Sequence, residues 1–170
     1  MTDSVDTLKL HARILHRDTL NAQPSALSRM RRLPELRKLG DADLPFQVKR
    51  RHCLSVIARE LGFQGWGHAV HSLRDATTFG RLLYPPRCGG HTNIWCATYE
   101  DAQMIHAQRG GYLLAYQTQF FVVEDNYIRT LGLDPEDPDW GHIGRNWVEP
   151  VDPNARNRLC QKVIEASLCH

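Results

Sequence analysis

Gly111–Asp125, GYLLAYQTQFFVVED, decides the fold class of this chain. It is dense in aromatic and β-branched side chains, which suit a pleated, half-buried surface. A typical strand has about 5–6 residues. The stretch is longer than that, and Gln117-Thr118 is its one polar interruption, so the reading is an antiparallel hairpin turning there. Working back toward the N-terminus, Gly110-Gly111 closes a helix whose face carries Tyr99, Ala102, Ile105 and His106. Thr98 is its N-cap, with Asp101 at the capping-box position. Asn93–Ala97 (NIWCA) reads as a further short strand. Before it, LLYPPRCGG places two prolines and two glycines where no helix can continue. Working forward, Asp125 caps a short helix that runs through Leu131 and stops at Gly132. LDPEDPDWGHIGRNWVEP follows as an acidic, proline-punctuated loop, and Asp152-Pro153 opens a last helix with Ala155, Leu159, Val163 and Ile164 inward.

The region from Leu8 to about Arg74 reads as helices only. Leu8, Ala12 and Leu15 form one amphipathic stripe. Pro24-Ser25 opens a helix with Leu27, Met30 and Leu33, which Pro34 interrupts, and Gly40 is a stop. Pro45 opens a longer helix carrying Leu54, Ile57, Ala58 and Leu61, ended by Gly62 at C′. Trp66, Ala69, Val70 and Leu73 share a face of one more. The expected architecture is therefore α+β. A basic N-terminal helical bundle occupies residues 1–76, and an α+β unit with a short antiparallel sheet and a C-terminal helix occupies 77–170.

Composition narrows the function classes. Net charge is +2 over 170 residues, yet residues 1–75 carry 13 Lys+Arg against 8 Asp+Glu and residues 76–170 carry 8 against 11. The basic excess lies in two runs, Arg29, Arg31 and Arg32, then Lys49, Arg50 and Arg51, which are candidate contacts for a protein partner or, as the lesser expectation, nucleic acid. No apolar run approaches the ~20 residues of a membrane span. The first residues lack the apolar core of an export signal, and five cysteines at irregular spacing point to reduced thiols in a cytoplasm.

Two clusters carry candidate chemistry. Cys88, His91 and Cys96 surround Gly89-Gly90, with His106 on the next helix, and these are residue types that bind zinc or build a thiol nucleophile. The competing reading makes the cysteines small hydrophobes. Trp140, His142, Arg145 and Trp147 form the second cluster. An arginine flanked by tryptophans can line a small-ligand loop, and the same tryptophans can equally anchor that loop on the sheet. Asp134, Glu136, Asp137 and Asp139 read as a solvated connector. GFQGWG at Gly62–Gly67 has the wrong offsets and context for a dinucleotide fingerprint.

His52–Leu73, HCLSVIARELGFQGWGHAVHSL, resembles the helical module at one end of certain glyoxalase-related bacterial proteins. The resemblance rests on Cys53, Leu54, Ala58, Arg59, Leu61, Gly62, Phe63, Trp66 and Leu73. It implies an accessory or interaction module. The metal-binding glyoxalase domain has no counterpart in residues 76–170, so no ligand or activity carries over. The functional expectation is a cytoplasmic binding or interaction protein with a basic helical module. The alternatives are a small enzyme and a structural zinc protein, each using the Cys88/His91/Cys96 loop.

Overall fold

The hairpin forms where the sequence places it. In the computed structural model, which describes residues 3–74 and 81–169, β2 (Tyr112–Tyr116) and β3 (Gln119–Val123) pair antiparallel with Leu114 opposite Phe121. Gln117 supplies the turn with φ of 54°. The short β1 (Ile94–Cys96) joins the far edge of β3, so the sheet order is β1-β3-β2. Strand alternation then gives each face its cover. On the Phe120 face lies α6 (Tyr99–Arg109), whose Tyr99 ring stands 5.6 Å from Phe120. On the Phe121 face lie Tyr84 and Tyr127, at 5.9 and 5.7 Å, from the 81–88 segment and from α7 (Asp125–Leu131). The free edge of β2 is shielded too, because Leu113 exchanges hydrogen bonds with Arg145 and Trp147.

The caps follow local chemistry. Thr98 Oγ1 accepts the Asp101 N–H, as the capping pattern requires. Asp152 likewise accepts from Asn154 at the start of α9 (Pro153–Leu168). One cap differs from the sequence reading: Glu124 is the N-cap of α7, and Asp125 is its first helical residue.

In the first half, α1 (Ser4–Leu20), α2 (Pro24–Met30), α3 (Leu44–Gln47), α4 (Arg50–Glu60) and α5 (Trp66–Arg74) form the helical bundle. Pro45 opens only the one-turn α3. Val48 is extended (ψ 129°), so the longer helix begins afresh at Arg50. The acidic loop contains a helix the sequence reading missed, α8 (Pro138–His142), begun by Asp137 as N-cap and Pro138 at the first helical position.

The fold is α+β, and one hydrophobic cluster runs through both halves. Its continuity comes from α9, which crosses back onto α1: the backbone N–H and hydroxyl of Ser4 both donate to Asn157 Oδ1, at 3.1 and 2.5 Å. The expected boundary at residues 76 and 77 lies outside the described residues. Among the described residues no helix is long and apolar enough to cross a membrane.

Candidate functional site

The cysteine–histidine cluster of the sequence is dispersed by the fold. Cys88 sits in a single 3-10 turn (Pro86–Cys88), fully buried, and burial pushes its thiol up. His91 turns its Nε2 to Thr130 Oγ1 at 2.9 Å and lays its ring edge-on to Tyr127. Cys96 faces inward from β1, and burial, with Asp101 nearby, raises its thiol too. His106 donates from Nε2 to the Gly111 carbonyl at 3.1 Å, closing the turn after α6. Among the described residues no three of His, Cys, Asp and Glu are grouped to hold a metal ion. Cys88, His91, Cys96 and His106 are thus held by local packing and turn geometry, and they do not assemble into a ligand set. A thiol nucleophile benefits from a lowered pKa, and both thiols are displaced the other way.

The tryptophan loop resolves toward its anchoring reading. Trp140 and Trp147 are 1% and 0% exposed, with ring centroids 6.0 Å apart. Trp140 donates from Nε1 to the Asp134 carbonyl and packs edge-on to Tyr112. Arg145 pairs with no acid in the described structure. Its guanidinium carbon lies 4.9 Å from the Tyr112 ring centroid, a cation–π contact. His142 is the exposed member, 3.5 Å from Asp139. The two indoles are therefore core, while His142 and Arg145 stay exposed beside them.

The acidic loop is tied down at Asp137 and Asp139, while Asp134 and Glu136 stay exposed. Asp139 is 7% exposed and accepts from Arg158 Nε at 3.1 Å, with Lys162 at 3.4 Å. The Arg158 hydrogen bonds hold the Asp139 carboxyl at about 2 against burial, assisted by Lys162 and His142. Because the shift is downward, its stabilisation is complete above about pH 4, near the unfolded pKa, and is lost as pH falls toward 2. Arg158 is partly exposed, so solvent screening reduces the contribution to about 1–2 kcal/mol. Asp139→Asn is expected to lower stability by that amount at pH 7. It should also flatten the acid limb of the stability curve between pH 4 and 2, read by urea unfolding at stepped pH. An unchanged acid limb would assign the acid sensitivity to other carboxylates.

The two basic runs sit at opposite ends of α4. Lys49, Arg50 and Arg51 are exposed at its N-terminus, where the first turn holds no acidic residue. Arg29 and Arg32 converge on Glu60 at the other end, about 15 Å away at 1.5 Å per residue. Arg29 grips the Glu60 carboxylate with two donors, at 2.9 and 2.6 Å, and Arg32 reaches it at 3.3 Å. Arg31 turns aside to Asp41 and the Leu39 carbonyl.

Beyond Glu60 opens a cleft of about 200 Å³ where the two halves meet. It is lined by Arg59, Glu60, Gly62, Arg81, Arg87 and Ser167 among others. A second hollow, lined by Arg29, Arg32, Glu60 and Ser167, adjoins it. The Arg59 and Arg81 side chains make no hydrogen bond or ion pair among the described residues. Arg87 is fixed by donating to the carbonyls of Thr130 and Leu131 and to Ser167 Oγ, at 3.1, 2.9 and 3.3 Å. Among the described residues, three arginines thus line one small cleft whose only carboxylate, Glu60, is already engaged by two further arginines. Gly62 permits this crowding. Its φ is +86°, and a Cβ there would lie 2.5 Å from the Arg81 Cβ.

Sequence reasoning reached Arg29 and Arg32 through their run but missed Arg59, Arg81 and Arg87. Arg81 and Arg87 stand six residues apart but Arg59 is more than twenty residues before them, and only tertiary packing unites the three. A comparison of the chain with protein families, curated proteins and solved structures finds no match.

Proposed function

We propose that this is a binding protein whose arginine cleft takes a compact phosphate-bearing ligand. The observation that carries the reading is the charge imbalance of the cleft. Arg59, Arg81 and Arg87 line it, while Glu60 is neutralised by Arg29 and Arg32. Planar guanidiniums suit a tetrahedral oxyanion because a free one presents paired donors, as Arg59 and Arg81 can here, while Arg87 adds its positive charge. A volume of about 200 Å³ favours one phosphate group over a run of nucleic-acid backbone. The basic helical module then acts through the end of α4 nearest the second half, with Arg59 and Gly62 as its share of the site. The resemblance of residues 52–73 to an interaction module is consistent with that role. Five unpaired cysteines, four of them buried, support a reducing cytoplasm as the location.

Titration calorimetry with inorganic phosphate tests the reading. One phosphate per chain should bind, with affinity falling as salt rises. A charge-assisted hydrogen bond contributes about 1.5–3 kcal/mol, so Arg59→Ala and Arg81→Ala should each weaken binding roughly tenfold or more. Both side chains are exposed and have no partner among the described residues, so folding should be preserved. Phosphate heat that is absent, or equal in the wild type and both variants, would overturn the assignment.

A further inference from the structure

A second polar cleft, of about 540 Å³, opens at the other end of the sheet, between the Gly90–Ile94 loop, the end of α6 and the start of α7. It has none of the arginine excess described above. Arg109 and Glu124 both line it, opposite in charge, yet they do not pair with each other. Neither forms an ion pair with any other described residue. Glu124 is the N-cap of α7 but makes no side-chain capping bond, so its carboxylate is not engaged by its own helix.

The amides of the cleft supply further donors. Asn126 accepts the Tyr127 N–H on its Oδ1 at 2.8 Å, which leaves its Nδ2 as the end available to a ligand. Asn93 also lines the cleft, and its Nδ2 is buried with no hydrogen-bond partner among the described residues. That Nδ2 presents no surface to the cleft, so the amide donor a ligand meets there is that of Asn126. The scaffold beneath is fixed, since His91 is tied to Thr130 and packed on Tyr127. Gly90 leaves its backbone bare, and a Cβ there would meet nothing within 4 Å.

We infer that this cleft binds a free α-amino acid. The carboxylate would lie toward Arg109 and the Asn126 amide, and the ammonium toward Glu124. A guanidinium and a carboxylate that face one space without neutralising each other call for a ligand carrying both complementary charges. A simple anion would meet Glu124, and a simple cation would meet Arg109, so each would face repulsion that a zwitterion avoids. The binding involves no covalent step.

The test is calorimetric titration of the full chain with each common L-amino acid in turn, followed by the N-acetyl and α-amide derivatives of any that binds. At least one amino acid should bind at one site per chain. Either derivative should bind roughly tenfold more weakly, since each removes one of the two charges. Arg109→Gln should abolish discrimination between the acid and its α-amide, and Glu124→Gln should abolish discrimination between the free and acetylated amine. Arg59→Ala should leave amino-acid binding unchanged, which separates this cleft from the phosphate site. Failure of every amino acid to bind overturns the inference. So does equal affinity for the acetylated and free forms, a result that needs no variant to fold.

Discussion

Trp147→Ala is expected to destabilise the protein by about 3–5 kcal/mol, the usual loss for truncating a fully buried large aromatic. For a chain of this length that corresponds to a fall in melting temperature of roughly 10 °C. The indole is 0% exposed, lies 6.0 Å from the Trp140 ring, and hangs from a backbone whose N–H is hydrogen-bonded to Leu113 at 2.9 Å. Removing it leaves that backbone bond in place but opens a cavity between the 145–147 segment and the sheet. His142→Ala, at the exposed end of the same loop, should change stability by only about 0.5 kcal/mol. The contrast is measured by urea unfolding of both variants. It discriminates between the two readings of the loop, because a ligand-lining tryptophan is accessible in the free protein and can be truncated at modest cost. A loss under about 1 kcal/mol for Trp147→Ala would mean that the side chain leaves the core in solution, and would reopen the loop as a binding surface.

What the sequence made legible is local, and what it hid is tertiary. The hairpin at Gln117-Thr118, the Thr98 cap and the Asp152-Pro153 start each depend on residues within a few positions of one another. Their chemistry is therefore visible in one dimension. The misreadings at Pro45 and across residues 133–150 come from the same source. Proline marks a helix start in both places without saying how far the helix runs. Val48 turns extended after one turn, and Asp137 and Pro138 start a helix where a connector was expected. The sites escaped for a different reason. Cys88, His91 and Cys96 are neighbours in the chain, and the fold sends one under Tyr127, one to Thr130 and one into a strand. Arg59 is distant in the chain from Arg81 and Arg87, and the fold brings them to one cleft. Proximity in sequence overstated the first group and concealed the second.

Gly62→Ala should be the most informative single change at that cleft, at a cost of about 2–4 kcal/mol. Two independent effects add. An alanine held at φ of +86° sits in a region L-residues avoid, which costs roughly 1–2 kcal/mol. Its Cβ would also lie 2.5 Å from the Arg81 Cβ, closer than two carbons can approach, so the 81–82 backbone must move away from the end of α4. The first effect concerns residue 62 alone, whereas the second requires a partner, and a double-mutant cycle separates them. In an Arg81→Gly background the steric part of the Gly62→Ala penalty should vanish and the conformational part should remain. A full penalty in that background would show that the left-handed conformation alone makes glycine necessary at residue 62. The displacement should also weaken phosphate binding in Gly62→Ala, although alanine removes no charge, because Arg81 and Leu82 line the same cleft. The glycine that ends α4 therefore has two roles, terminating the helix and leaving the space in which Arg81 packs against the helix end.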